Sequence, residues 1–485
     1  MAKETKIQTG TETFSYDDIL LLPSYAELLP GEVDIRTQLA GDIYLNTPIL
    51  SAAMDTVTED ELAIAMALEG GAGVIHRNLS PEEQARQVGR VKRFLNWIID
   101  QPLTVHQEMS LEEVRRIKAE HSISGLPVVD DHNKLVGIIT RRDMRFCDDL
   151  TRKVKDMMTA DPVSAPPTIS PEEAQALFDE HRIEKIPVVD EEGRVTGLIT
   201  VKDLEKQESF PHAALDKQGR LIVGAAISPQ DYETRLPLLT ENRVDFVVLD
   251  TAHGDSASVV SAIQDIKKRW DVLVIGGNVA TAEGTRRLID AGADAVKVGI
   301  GPGSICTTRV ISGIGVPQFS AVLWCAEEAA KDGIPVIADG GIKFSGDITK
   351  AICAGASTVM LGNLLAGLKE APGREIIFDG RMFKQYRGMG SMGAIKEGSG
   401  DRYQMKQGDA PVPEGIEGRV PYKGELKPFL HQLTMGLRKG LFYCGCKNLE
   451  ELRQYKKFVK ISPAGLHESH AHDIMITHEA PNYSH

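Results

Sequence analysis

The sequence predicts a (β/α)8 barrel with a second, repeat-built domain inserted into it. Three observations carry this prediction. Eight short apolar segments alternate with amphipathic helical stretches. One pattern occurs twice, 60 residues apart, between the second and third of those segments. Glycine, 45 of 485 residues, gathers at the ends of the later segments.

The first two apolar segments are TPILSAA (47–53) and GAGVIHR (71–77). After the repeat come RLIVGAAI (220–227), DFVVLD (245–250), DVLVIGGNV (271–279), DAVKVGIG (294–301), IPVIADGG (334–341) and TVMLGN (358–363). Continuous apolar runs of this length are strands covered on both faces. Between them lie helical patterns such as EDELAIAMALEG, SASVVSAIQDIKKRW and SAVLWCAEEAAKDG. A strand followed each time by a helix is a parallel βαβ unit, and eight such units close into a barrel.

The repeat pairs ISGLPVVDDHNKLVGIITRRDM, from Ile123, with IEKIPVVDEEGRVTGLITVKDL, from Ile183, without a gap. Pro127 matches Pro187, Gly137 matches Gly197, Thr140 matches Thr200 and Asp143 matches Asp203. Upstream, Pro102 aligns with Pro162, and Ser110-Leu-Glu-Glu with Ser170-Pro-Glu-Glu. Each copy reads as a capped helix, a strand, a turn, a strand and a helix start. Two copies predict a pseudo-twofold pair packed face to face. The expected division is a first barrel part over 1–94, the repeat domain over 95–207 (copies about 97–156 and 157–207), and a second barrel part over 208–485. A prior of roughly 150 residues per domain suggests about three domains; repeat and strand count reduce that to two.

Composition narrows the function. Net charge is −14 without a basic run, which argues against duplex nucleic acid as the main partner. There is no apolar run long enough to span a membrane, and the polar start MAKETKIQTGTETF lacks the apolar core of a secretory signal. The six cysteines show no CxxC or zinc spacing, as expected of a reduced, cytoplasmic protein.

The turns DTAHGD, GGN, GIGPGS, DGG and LGN follow the fourth to eighth strands. In a barrel, these carboxyl ends form the active face. The richest segment is Gly299-Ile-Gly-Pro-Gly-Ser-Ile-Cys-Thr-Thr-Arg309. Its glycines let a ligand approach the backbone, whose N–H groups can cradle an anion. Ser304 adds a hydroxyl. Cys306 falls on this loop and is a candidate thiolate nucleophile, whereas Cys325 and Cys353 fall in helical patterns as small apolar residues. Asp339, at the end of the seventh strand, suits a pair of ribose hydroxyls.

Together with GPGSICTTR and ADGGI, the segments YRGMGSMGA (386–394), GDRYQ (400–404) and EGIEGRVPYKG (414–424) resemble the inosine 5′-monophosphate (IMP) dehydrogenase family. The resemblance runs from SYDDILLLP (15–23) to SHAHDIMITHEAPNY (469–483). The repeat is similar to the pair of cystathionine-β-synthase (CBS) domains that this family carries at the same place.

The resemblance implies NAD-dependent oxidation of IMP to xanthosine monophosphate, the committed step toward guanine nucleotides. Cys306 matches the nucleophile that adds to purine C2 and forms a covalent thioimidate. Arg402 and Tyr403 match the pair that activates the hydrolytic water from a mobile flap over about 387–424. Thr308 matches a residue that assists there. The substrate phosphate falls to Ser304, Gly340, Gly341, Gly362, Asn363 and the loop Tyr386, Arg387, Gly388, Met389 and Gly390. Many relatives carry serine where Asn363 stands. Asp339 takes the ribose and Glu414 the purine edge. Asp250 matches the carboxylate on the nicotinamide ribose, and Gly299, Ile300 and Gly301 line the same cofactor.

A monovalent cation, usually K+, is implied at the carbonyls of Gly301, Gly303 and Cys306, with Glu468, Ser469 and His470 coming from a neighbouring copy. His467, His470 and His472 alternatively suggest a transition metal. Thr140, Asp143, Thr200 and Asp203 match positions where CBS pairs hold purine nucleotide effectors; a purely structural insert is the alternative. A homotetramer, possibly an octamer, is expected. Guanosine monophosphate reductase, which normally lacks the insert and the Arg-Tyr pair, is the nearest alternative enzyme. A nucleotide sensor with an inactive barrel is the alternative of another kind.

Overall fold

The computed structural model describes residues 11–100, 102–121, 125–145, 147, 149–399, 412–477 and 483. The chain divides into two compact units, Met1–Phe94 with His212–His485, and Leu95–Pro211.

The first unit is a closed barrel of eight parallel strands. In chain order they are β1 (Ile49–Ser51), β2 (Ala72–Ile75), β3 (Val223–Ile227), β4 (Phe246–Asp250), β5 (Leu273–Val279), β6 (Ala295–Val298), β7 (Val336–Asp339) and β8 (Thr358–Leu361). Each of the eight apolar segments holds one strand. The helices that follow them are α1 (Asp60–Leu68), α2 (Pro81–Phe94), α3 (Tyr232–Glu241), α4 (Ala257–Arg269), α5 (Ala282–Asp290), α6 (Gln318–Ala329), α7 (Ser345–Cys353) and α8 (Asn363–Ala366). β8 closes on β1 through Val359 opposite Ile49. β2 and β3, far apart in sequence, pair through Gly73 opposite Val223.

The barrel interior is filled, not hollow. Leu50, Val74, Ala226, Phe246, Val248, Ile275, Ile337 and Met360 pack as one buried cluster. Side-chain sizes are matched across strands: a Cβ on Gly224 would lie 2.3 Å from the Phe246 ring. A hairpin of Thr37–Ala40 and Ile43–Leu45 adds Leu39, Ala40 and Leu45 to the same cluster.

After the barrel, β9 (Glu375–Phe378), β10 (Arg381–Arg387) and β11 (Glu417–Pro421) form a three-stranded antiparallel sheet. The flap expected over about 387–424 is therefore regular at its ends, with α9 (Met392–Lys396) after β10. Helix α10 (Leu426–Cys444) packs on α7, where Gly436 and Gly440 admit Ser345 and Thr349. The chain continues through α11 (Leu449–Tyr455) and α12 (Pro463–Ser469).

In the second unit, each sequence copy lends a strand to the other copy's sheet. Thr159–Ala160, from the second copy, pairs with Leu135–Thr140 of the first. Ile98–Asp100, from the first, pairs with Val195–Thr200 of the second. Two separate cores result, one around Val114, Leu126 and Ile139, the other around Trp97, Phe178 and Ile199. Both Ser-x-x-Glu motifs cap helices: the backbone N–H groups of Ser110 and Ser170 donate to Glu113 and Glu173 at 2.7 and 2.9 Å.

At the end of the barrel away from the active face, Lys92 of α2 is 3% exposed. Its ammonium donates to Asp216 and Asp245 at 2.8 Å and to the Leu221 carbonyl at 3.0 Å. Burial pushes Asp245 up to about 6, against the pull of Lys92. Burial acts upward on Asp216 too, but there Lys92 and Arg220 prevail and hold it low. Lys92→Met leaves two largely shielded carboxylates facing each other, an expected loss of about 3–5 kcal/mol by chemical denaturation at pH 8. Asp245 has a folded-state pKa above its unfolded value and binds its proton more tightly when folded. Part of the loss should therefore return as the pH falls, beginning above 6 because Lys92 no longer pulls the Asp245 pKa down.

Candidate active site

The strand-end loops of the barrel and the residues around β10 and β11 enclose a cavity of about 390 Å3. Ser304, Cys306, Asp339, Gly340, Gly341, Gly362, Asn363, Tyr386, Gly388, Met389, Gly390 and Glu414 all line it, as do Gly299, Gly301 and Gly303. Residues dispersed over more than a hundred positions thus meet because parallel strands deliver their following loops to one face.

Cys306 is half-buried, whereas the other five cysteines are buried. Burial pushes the Cys325 thiol up to about 12, which keeps it protonated. The Cys306 sulfur lies 3.1 Å from the Thr308 hydroxyl, and that hydroxyl donates to Glu414 Oε2 at 2.7 Å. Thiol, hydroxyl and carboxylate therefore form one hydrogen-bonded chain. Backbone bonds fix it. Thr307 N–H donates to the Glu414 carbonyl at 2.9 Å, and Ile416 N–H to the Ile305 carbonyl at 3.0 Å. Arg309 braces the loop from below by donating to the carbonyls of Ile300 and Val316, and burial lowers its pKa.

A buried ammonium organises the other wall. Lys297 of β6 is 1% exposed. Its Nζ lies 3.0 Å from Asp250 Oδ1 and donates to Asp339 Oδ2 at 2.5 Å and to Asn278 Oδ1. Asn278 Nδ2 donates in turn to Asp339 at 2.9 Å and to the Gly299 carbonyl at 2.8 Å. Gln318 holds the backbone ends of β6 and β7 by donating to Val298 at 2.8 Å and Asp339 at 3.1 Å. Sequence reasoning singled out none of these three residues. The signal was present for Lys297: a lysine inside the apolar run DAVKVGIG needs a buried carboxylate.

Around the glycine turns, Tyr386 reaches across to β8. A Cβ on Gly362 would lie 3.1 Å from its hydroxyl oxygen. Burial raises the Tyr386 pKa, and a hydrogen bond with Ser304 partly offsets that. The phenol therefore stays protonated beside these glycine turns.

Not every expected residue faces the cavity. Arg387 turns to Asp55, at 2.7 Å, and to Glu397, which together raise its pKa. Glu468 and Ser469 lie in α12, and His470 follows it with its ring 5.6 Å from that of Phe344. Among the described residues, no group of three or more His, Cys, Asp or Glu side chains converges on a metal position. Arg402 and Tyr403 lie outside the described residues. In the inserted unit, Thr140 and Asp143 bond to each other at 2.7 Å, and Thr200 and Asp203 at 2.6 Å. Each pair caps the start of a helix. No helix among the described residues is long and apolar enough to cross a membrane.

A βα barrel with a thiol and a glycine cradle at its strand ends is the architecture of an enzyme acting on a phosphorylated small molecule. The family described as IMP dehydrogenase / GMP reductase domain matches residues 13–472, and the chain belongs to that family. It is 52% identical over 484 residues to inosine-5′-monophosphate dehydrogenase of Halalkalibacterium halodurans, covering 99% of both chains. The Bacillus subtilis protein of the same name is 50% identical over 478 residues, covering 98% of each chain. Among solved structures, a cysteine-to-alanine variant of Trypanosoma brucei GMP reductase, in complex with guanosine 5′-monophosphate, superposes with a TM-score of 0.84. It is 40% identical and covers 96% of this chain, which in turn covers 98% of it. Coverage that complete includes the inserted unit, so the insert does not separate dehydrogenases from reductases as expected from the sequence.

The backbone of Gly299 gives a stability test of the cavity wall. Its φ is +153°, and a Cβ there would lie 2.1 Å from the Asp339 carbonyl oxygen. Gly299→Ala should lower stability by at least about 1–3 kcal/mol from backbone strain alone. Gly346 in α7, with nothing within 4 Å of its Cβ position, is the control. Gly346→Ala should be neutral or stabilising by about 0.4–1 kcal/mol. Thermal melts of the two variants make the comparison.

Proposed function

We propose that the chain oxidises IMP to xanthosine 5′-monophosphate, with NAD+ as hydride acceptor, through a covalent adduct on Cys306. The hydrogen-bonded chain Cys306–Thr308–Glu414, opening on the same cavity as the glycine cradle, carries this reading. Dehydrogenases of this name are about half identical to the chain over nearly its whole length. The substrate phosphate lies on Ser304, Gly341, Gly362, Asn363 and the Tyr386–Gly390 loop, its ribose on Asp339, and its purine edge beside Glu414. The Cys306 proton leaves through the Thr308 hydroxyl to Glu414. The thiolate adds to C2 of the purine while N3 takes up a proton, making C2 tetrahedral. C2 then gives up hydride, N3 gives back its proton, and C2=N3 re-forms as a thioimidate. Water adds to C2, and Cys306 leaves as thiolate. Arg402 and Tyr403 activate that water.

The bound cofactor supplies one thing, an acceptor for the hydride. Asp250, Gly299, Ile300 and Gly301 would hold it. Asp250 fits that part because Lys297 keeps its carboxylate fixed at the carboxyl end of β4. Backbone carbonyls are a hard-oxygen donor set suited to K+. Those of Gly301, Gly303 and Cys306 would hold it, with Glu468, Ser469 and His470 of a neighbouring copy in a cytoplasmic tetramer or octamer. The inserted unit binds a regulatory purine nucleotide near Thr140, Asp143, Thr200 and Asp203. Half-buried Lys118 and Lys185 support an anion there: burial, with the repulsion of Lys185, pushes Lys118 down to about 8. GMP reduction is the second reading, favoured by the superposition on the Trypanosoma brucei reductase.

Wild-type protein with IMP, NAD+ and K+ should produce NADH, and Cys306→Ala should abolish it. NADPH-dependent loss of guanosine monophosphate with no NADH from IMP would give the second reading instead. Thr308→Val, which breaks the proton path but keeps the shape, should lower kcat by about 10^2. Nucleotide affinity of the full chain, by calorimetry, should fall as the pH rises through 8, where Lys118 loses its charge.

A further inference from the structure

We propose that Tyr16 is a substrate-binding residue whose hydroxyl donates to the phosphate of the nucleotide held over Gly341. The proposal rests on the reading that this cavity takes a phosphorylated substrate. Tyr16 begins a short 3-10 turn, Tyr16–Asp18, and lines the cavity together with Ser15 and Asp17. It is 2% exposed, and its hydroxyl is buried with no hydrogen-bond partner among the described residues. A buried hydroxyl without a partner is destabilising unless something bound supplies one.

Its position is held from several sides. Lys350 of α7 donates to the Tyr16 carbonyl at 2.8 Å. Asp17 pairs with Lys343 of the β7–α7 loop at 2.5 Å. Phe14 and Ser320 exchange hydrogen bonds at 2.9 and 3.1 Å, which ties the segment to α6. The ring therefore cannot easily swing away to find water. Its edge faces the turn after β7: a Cβ on Gly341 would lie 3.5 Å from Tyr16 Cε2.

Two buried phenols thus flank the glycine cradle, Tyr386 at Gly362 and Tyr16 at Gly341. The first already has Ser304 as a partner. Burial and the nearby charges of Asp347 and Asp339 keep the Tyr16 phenol protonated, so it can only enter an anion site as a donor. A phosphate oxygen is the acceptor such a neutral donor needs, and backbone N–H groups at the same turns supply the rest of the cradle.

Tyr16→Phe removes the hydroxyl and keeps the ring. The KM for IMP should rise about tenfold or more, the loss expected for one hydrogen bond to a charged group, while kcat changes less than about twofold. Competitive inhibition by inosine, the same ligand without phosphate, should be unchanged. The melting temperature should hold or rise, because an orphan hydroxyl is gone. An unchanged KM for IMP overturns the proposal, and so does equal weakening of inosine and IMP. Tyr386→Phe distinguishes the two levels of the argument. If it raises the KM while Tyr16→Phe does not, Tyr16 is structural and the phosphate reading stands. If neither variant affects IMP, the phosphate reading itself fails.

Discussion

The ammonium of Lys297 is buried in a strand, and burying a charge is tolerable only when opposite charge meets it at close range. Here the two carboxylates that meet it come from β7, the neighbour of β6 in the barrel, and from β4, two strands away on the other side. Asp250 and Asp339 are therefore fixed with respect to each other by one atom. Asn278 extends the grip to the backbone of Gly299, at the root of the cysteine loop. The geometry of that loop, and so the position of Cys306, depends on a charge cluster whose ammonium is almost wholly shielded from solvent. Two carboxylates sharing one counter-ion also make their surroundings electrically continuous: what changes the charge on one is felt by the other.

The opposite side of the cavity is built on different physics. Cys306, Thr308 and Glu414 are joined by neutral and charge-assisted hydrogen bonds, and the segment 414–416 is stitched to the cysteine loop through backbone bonds. That segment leads directly into β11, which pairs along β10. The antiparallel sheet outside the barrel thus anchors the residues that complete the thiol's surroundings. A rigid wall of buried charge faces a wall assembled from loops, and the substrate cavity lies between them.

Much of this arrangement was legible in the sequence because it is written in local pattern. Apolar runs marked all eight barrel strands, since parallel strands are covered on both faces. The 60-residue offset marked the insert, and a cysteine among glycines marked a loop that lines the cavity. What escaped has a common physical cause: it depends on which residues the closed barrel brings together. Lys297 looked like a single polar interruption of a strand. Asn278 passed as part of a glycine turn, and Tyr16 as one aromatic in an N-terminal motif. Arg387 stood inside a phosphate-loop pattern, yet the carboxylates of Asp55 and Glu397 claim its side chain. The exchange of strands between the two repeat copies was equally invisible. Both copies have the same pattern, and pattern alone cannot say with whose sheet a strand pairs.

The pairing of β2 with β3 has a consequence for how the chain folds. The barrel cannot become continuous until Gly73 and Val223 meet, and everything from α2 through Leu95–Pro211 lies on the connecting path. The entropy of closing a loop grows only with the logarithm of its length, each doubling adding about 0.6 kcal/mol. An insertion of this size between two adjacent strands is therefore a small thermodynamic burden but a long search. Because the inserted unit has two cores of its own, it can collapse first and shorten the search to the stretch between its ends. A polypeptide in which that unit folds slowly would keep β2 and β3 as exposed edges for longer, and unpaired edges are where chains join one another instead of themselves.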